Sequence, residues 1–217
     1  RTTYPLTPAI IAGLHTGVDK LADVKTYSGY GDEQGFQELR EAICARYKAY
    51  GVELAADEVF VSDGAKPASA NIQSISRQEN VVAVQDPAYP VYVDSNVISG
   101  RTGTGKDGTY AGLVYMRCDE SNAFFPAVPE GKVDLIYLCS PNNPTGAVAT
   151  HDQLRTFVEY ARKHKAVIIF DAAYAAFISD PKLPRSIYEV EGAKSCAIEI
   201  NSYSKEAGFT GVRLGWS

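Results

Sequence analysis

Apolar positions recur along this chain with two alternating periods. Over 8–23, Ile10, Ile11, Leu14, Val18 and Leu21 fall three or four apart, which predicts an amphipathic helix. Over 34–50, Phe36, Leu39, Ile43 and Tyr47 repeat that spacing. Further helices are predicted over 65–76 and 151–164, the latter with Thr150 as N-cap. Short apolar runs predict strands over 59–61, 81–84, 113–117, 133–139, 166–170 and 195–200. Residues 89–98 fit helix and strand equally well. The stretch 100–112, with five glycines, is predicted as a turn-rich connection. Strands apolar on both faces and separated by helices predict an α/β fold around a mostly parallel sheet with helices on both faces. The helical residues 1–50 are expected to form an arm or part of a smaller domain, and 51–217 the α/β domain.

Composition narrows the function. The 217 residues carry 21 Lys+Arg against 26 Asp+Glu, a net charge of −5, with no basic run. Nucleic-acid binding needs clustered cations, so it is disfavoured. No apolar stretch approaches the roughly 20 residues of a membrane helix. Cys44, Cys118, Cys139 and Cys196 form no C-x-x-C pair, and His15, His151 and His164 stand far apart. A reduced, soluble intracellular protein without a structural metal is expected. The chain starts at Arg1 without Met and stops at Val212-Arg213-Leu214-Gly215-Trp216-Ser217, which reads as the start of a strand. A segment of a longer chain is expected.

In open α/β sheets, ligands bind beyond the carboxyl ends of the strands. The residues just past the predicted strands are, in order, Ser62-Asp63-Gly64-Ala65-Lys66, then Gln85-Asp86-Pro87-Ala88-Tyr89, then Ser140-Pro141-Asn142-Asn143-Pro144-Thr145-Gly146, then Asp171-Ala172-Ala173-Tyr174, then Asn201-Ser202-Tyr203-Ser204-Lys205. One rim thus receives a helix N-terminus, an aromatic ring, a carboxamide, a carboxylate, a phenol and a lysine. Each has an ordinary explanation alone: a solvated lysine, an N-capping Asp, a turn Asn or a core Tyr. Together they outline a cofactor pocket.

The ordered motifs Asn143-Pro144-Thr145-Gly146, Asp171-x-x-Tyr174 and Ser202-x-Ser204-Lys205, with Arg213 eight residues on, resemble the fold type I pyridoxal-phosphate-dependent aminotransferases over nearly the whole chain. Tyr27-Ser28-Gly29-Tyr30-Gly31-Asp32-Glu33-Gln34-Gly35, the Ser62-to-Lys66 turn, Gln85-to-Asp94 and Gly208-to-Trp216 look like the branch of that family that acts on diaminopimelate. Glu206, where the pattern has an aromatic residue, and the stretch Pro67-to-Gln73 depart from it. The resemblance implies the large domain of that fold, a seven-stranded mostly parallel sheet, and pyridoxal 5'-phosphate as cofactor. It implies a homodimer in the cytoplasm or plastid stroma. The implied reaction converts tetrahydrodipicolinate to LL-diaminopimelate with glutamate as donor, returning 2-oxoglutarate. A longer C-terminal part, with an arginine for the substrate carboxylate, is also implied.

The resemblance assigns roles residue by residue. Lys205 attaches to the cofactor aldehyde and, once displaced, moves a proton. Asp171 faces the pyridine nitrogen. Asn143 and Tyr174 hydrogen-bond the ring oxygen, and Tyr89 stacks on the ring. The backbone of Gly64, Ala65 and Lys66, the hydroxyls of Ser202 and Ser204, the Arg213 guanidinium, and Tyr30 from a second subunit hold the phosphate. Glu33, Lys66, Tyr89 and Asn143 are the implied substrate contacts.

Competing readings are weaker. Gly100-x-x-x-x-Gly105-Lys106 nearly spells a phosphate-binding loop, but Asp107 stands where Ser or Thr is required. Ser202-x-x-Lys205 matches an acyl-transfer motif, but its K-T-G companion is absent. Gly103-x-Gly105-x-x-Gly108 lies inside the turn-rich connection and not directly after one of the predicted strands, which removes a dinucleotide fold. An aspartate or aromatic aminotransferase, or a folded segment that binds cofactor without turnover, are the remaining alternatives.

Overall fold

The computed structural model describes residues 4–217; residues 1–3 of the predicted 1–50 segment lie outside them. The helices of the fold are α1 (Pro8–Ala22), α2 (Gln37–Lys48), α3 (Ala65–Asn71), α4 (Val91–Ile98), α5 (His151–His164) and the short α6 (Tyr203–Glu206). The strands are β1 (Val61–Ser62), β2 (Val82–Asp86), β3 (Gly105–Lys106), β4 (Thr109–Tyr110), β5 (Leu113–Arg117), β6 (Leu135–Cys139), β7 (Val167–Asp171), β8 (Ala197–Ser202) and β9 (Gly215–Trp216). Seven strands form one sheet in the order β1-β9-β8-β7-β6-β2-β5. β5, β2, β6, β7 and β8 run parallel, and β9 is antiparallel to both β8 and β1. This is the predicted mostly parallel α/β sheet.

The period of two splits the core into two layers. Ala83, Ile136, Leu138, Ile168 and Phe170 face one side and pack under Leu154, Phe157, Val158 and Ala161 of α5. Val82, Val84, Leu135, Tyr137, Ile169 and Ile200 face the other, against Val91 and Tyr92 of α4 and Ala65 and Ala68 of α3. Helix α5 is amphipathic because its apolar residues recur at helical spacing. Thr150 caps it as predicted: its hydroxyl accepts from the Gln153 amide N–H (3.2 Å), and the Gln153 side chain accepts from the Thr150 N–H (2.8 Å). A third cluster ties Ile43 and Tyr47 of α2 to Val52, Val59 and Trp216 at the sheet edge. Helix α1 buries none of its residues.

Several boundaries move, each for a local reason. Within the 89–98 segment, Val91–Ile98 form helix α4 behind the N-cap Pro90, so its side chains repeat at three and four rather than two. The predicted 65–76 helix stops at Asn71 and tightens into a 3-10 turn over Ile72–Ile75. Pro67 fits because it lies in the first turn, where a missing N–H costs nothing. The predicted 59–61 strand is paired over Val61–Ser62, since its ladder is set by Trp216 and Gly215. The glycine-rich connection holds a small hairpin of β3 and β4, exposed and without a helix at its exit.

Candidate active site

Cys139, Asp171 and Ser202 stand at or next to the carboxyl ends of β6, β7 and β8, an even number of residues from Tyr137, Ile169 and Ile200. They therefore share the α3/α4 side of the sheet, and Cys139 and Asp171 are direct register partners. Between them opens a cleft of about 320 Å³. Ten of the thirteen residues singled out in the sequence line it: Ala65, Lys66, Tyr89, Asn143, Asp171, Tyr174, Ser202, Ser204, Lys205 and Arg213.

Each is delivered by a local device. Asn143 rides a tight loop closed by the Asn142 N–H to the Ala147 carbonyl and the Gly146 N–H to the Asn142 carbonyl, both 2.8 Å. Gly146 has φ +75°, a left-handed conformation that suits glycine. Ser202 caps α6, its hydroxyl accepting from the Ser204 N–H at 3.1 Å, so the chain turns at once and Lys205 comes round to the cleft. The Lys205 ammonium lies 5.6 Å from the Tyr174 ring centroid. Arg213 donates to the Thr210 carbonyl (3.1 Å) and to the Ser204 hydroxyl (3.4 Å). Gly64 is the buried residue beneath that guanidinium: a Cβ there would collide with the Arg213 Nη2.

Asp171 is buried, at 8% exposure, and forms no ion pair among the described residues. Burial pushes its carboxyl up, opposed by hydrogen bonds from the Tyr92 hydroxyl to Oδ2 (2.6 Å) and from the Ala173 N–H to Oδ1 (2.9 Å). Burial likewise raises the Cys139 thiol and the Tyr174 phenol.

Tyr30 and Glu33 do not reach this cleft from their own chain. Both are exposed, Tyr30 completely, on the loop between α1 and α2. Gly64 supports the cleft without lining it. The cleft also holds Tyr92, Cys139, Ala173 and Thr210, which the sequence motifs do not single out. Tyr92 was detectable in principle, because it stands three residues after Tyr89 and a helical turn brings such a pair together, as the Tyr92 N–H to Tyr89 carbonyl bond does here.

The departures Glu206 and Pro67-to-Gln73 have structural uses. Glu206 accepts from Arg46 of α2 at 2.5 Å, and that guanidinium lies 5.6 Å from the Trp216 ring centroid. Buried Gln73 donates to the Ser95 hydroxyl (2.7 Å) and the Tyr137 hydroxyl (2.8 Å) and accepts from Arg101 (2.8 Å).

Residues 5–217 match the family model for aminotransferase class I and II. LL-diaminopimelate aminotransferase from Desulforapulum autotrophicum is 52% identical over 99% of this chain and 53% of its own length. The protein of that name from Desulfosudis oleivorans is 50% identical with the same coverage. The solved structure of L,L-diaminopimelate aminotransferase from Chlamydomonas reinhardtii superposes with a TM-score of 0.92 at 48% identity, over 99% of this chain and 53% of that one. BacF from Bacillus subtilis superposes with a TM-score of 0.85 at 30% identity, over 98% of this chain and 53% of its own. The chain spans about half the length of the curated relatives it matches. Among the described residues no helix is long and apolar enough to cross a membrane. A family match over nearly every residue, together with a cleft that gathers the family's motif residues, makes this chain a member of the class I and II aminotransferases.

Proposed function

We propose that the full-length protein is a pyridoxal-phosphate-dependent aminotransferase. It makes LL-diaminopimelate from tetrahydrodipicolinate with glutamate as amino donor, as a homodimer. In this reading residues 1–50 form the small-domain and dimer segment and 51–217 the cofactor domain. The substrate choice is supported by the names of relatives about 50% identical over almost the whole chain.

One observation carries the cofactor reading. Asp171 is a buried carboxylate with a donor on each oxygen and no ion pair among the described residues, and it faces the same cleft as Lys205. A lone buried charge is costly unless a positive group meets it. A protonated pyridine nitrogen is such a group. The same cleft is lined by Arg213, Lys66, Ser202 and Ser204, a cationic, hydroxyl-rich set suited to a phosphate dianion. The lining therefore fits both the pyridine nitrogen and the phosphate of pyridoxal phosphate.

When bound, the cofactor supplies an electron sink for the substrate's Cα–H bond. The protein's residues do the rest. Lys205 would hold the cofactor through its aldehyde carbon and would carry a proton to and from the substrate Cα. Asp171 keeps the pyridine nitrogen protonated. Tyr89 covers the ring, and Asn143 and Tyr174 orient its oxygen. Arg213 with the two serines fixes the phosphate, so the reacting carbon stays within reach of Lys205.

Borohydride reduction of the cofactor-loaded full-length protein is expected to attach the cofactor permanently to Lys205, read by peptide mapping. Lys205→Ala should lose the attachment and at least about 10³-fold in kcat, as for an essential nucleophile and proton carrier. Attachment at Lys66 or Lys194 instead would overturn the assignment.

A further inference from the structure

Tyr92 lies within the Gln85-to-Asp94 motif but receives no role from it, yet its side chain is held on every side. It is 1% exposed. Its ring stacks on Tyr137 with centroids 5.0 Å apart and 22° between planes, and Tyr89 meets its edge at 5.9 Å and 82°. Helix α4 is itself pinned, since Gln73 donates to both Ser95 and Tyr137. So constrained, the phenol donates to Asp171 Oδ2 at 2.6 Å. The Ala173 N–H takes the other oxygen, which leaves the carboxylate one orientation.

The chemistry of the donor matters as much as its position. A buried lysine or arginine would neutralise Asp171 and remove its attraction for a positive group in the cleft. A phenol is a neutral donor: it stabilises the anion through a hydrogen bond and leaves the charge uncompensated. Burial favours the neutral carboxyl, and the hydrogen bonds from Tyr92 and the Ala173 N–H oppose it.

We infer that Tyr92 is a positioning residue: its hydroxyl fixes the Asp171 carboxylate in its rotamer and keeps it ionised for a cation entering the cleft. Only the identity of that cation, the cofactor's pyridinium, rests on the proposed function. The other titratable and charged groups lining the cleft that Asp171 faces are Cys139 of β6, Tyr89 ahead of α4, Tyr174 beyond β7, and Lys66, Lys205 and Arg213.

The test is a pH titration of the Asp171 carboxyl by ¹³C NMR in the full-length apoprotein, which needs neither cofactor nor turnover. Tyr92→Phe keeps the stacked ring and is expected to raise the midpoint by at least about one pH unit. Site-specific 2,3-difluorotyrosine at position 92, a stronger donor of nearly the same shape, is expected to lower it. In the cofactor-loaded enzyme, Tyr92→Phe should also move the pH at which the visible absorbance band changes. It should lower kcat about tenfold with KM for glutamate within about twofold. If neither change at position 92 moves the Asp171 midpoint, Tyr92 only packs the core and the inference fails. If Tyr92→Phe does not fold, the fluorinated protein decides by the direction of its shift. A wild-type protein that binds no pyridoxal phosphate would defeat the proposed function, while the apoprotein midpoints would still decide the role of Tyr92.

Discussion

Gly64 shows how much one missing methyl group can decide. Its φ of +126° lies where side chains are strained, and an added Cβ would press on Arg213. Gly51→Ala is the matching control: φ is +75°, but nothing lies within 4 Å. Backbone strain should cost about 1–2 kcal/mol in Gly51→Ala and, at φ +126° and ψ 160° where essentially only glycine is found, about 1–3 kcal/mol in Gly64→Ala. Gly64→Ala alone should displace the guanidinium and weaken pyridoxal phosphate binding at least about tenfold, measured by titrating the apoprotein. Equal cofactor affinity in the two variants would mean that Arg213 is not a phosphate ligand. The sequence made Gly64 a candidate as the residue before a helix; that Arg213, 149 positions later, lies against it is a tertiary fact.

At the scale of elements, strand β8 carries a second buried acid. Glu199 accepts from the Tyr47 hydroxyl of α2 at 2.6 Å, the Ser186 hydroxyl at 2.7 Å and the Ile187 N–H at 3.0 Å. Burial outweighs these donors, with a small push from Glu189, and raises the carboxyl from 4.5 to about 7. The folded protein thus keeps this proton to higher pH than the unfolded chain does. Stability is therefore highest on the acid side and falls as pH rises from 4.5 to about 7, by roughly 3 kcal/mol at most from this group. Glu199→Gln should flatten that fall, because an amide can accept from Ser186 and Ile187 while donating to the Tyr47 oxygen. Denaturant midpoints of the full-length protein at pH 5 and pH 8 measure it. An undiminished fall in the variant would assign the pH dependence to other groups. Periodicity located this strand but read 195–200 as one more apolar run; the acid's three donors come from segments 152, 13 and 12 residues away, which no local pattern contains.

At the scale of the whole molecule, the N-terminal segment carries a run of exposed apolar residues. Ile11, Leu14, Val18 and Leu21 of α1 stay exposed, as do Tyr27, Tyr30 and Glu33 on the loop leading to α2. A second copy of the chain is our proposed cover, with Tyr30 and Glu33 entering the partner's cleft. Diaminopimelate carries a distal ammonium that glutamate lacks, and a carboxylate at Glu33 can pair with it. A hydrogen bond to a charged group contributes roughly 1.5–3 kcal/mol, or about 10- to 150-fold. In the full-length enzyme Glu33→Gln should lower kcat/KM for LL-diaminopimelate at least about tenfold and leave the glutamate reaction nearly unchanged. Equal losses for the two substrates would give Glu33 a purely structural role in the loop or the dimer.

The sequence alone determined the layers of this protein and most of its cleft. Apolar runs between amphipathic helices require a sheet covered on both faces, and ligands then meet the strand ends, where Asn143, Asp171, Ser202 and Lys205 stand in order. These features are legible because periodicity and strand-end position are local properties of the chain. Tertiary structure decided what local patterns leave open. Residues 89–98 fit two periods, and only packing of Val91 and Tyr92 against β2, β6 and β7 selected the helix. The turn into that helix, closed by the Tyr92 N–H to the Tyr89 carbonyl at 3.2 Å, brings the two rings edge to face; in a strand, residues three apart point to opposite faces. The 2.6 Å contact between Tyr92 and Asp171 spans 79 residues of chain. It exists because parallel strands must be joined by crossovers, which bring together residues distant in sequence at the end of the sheet.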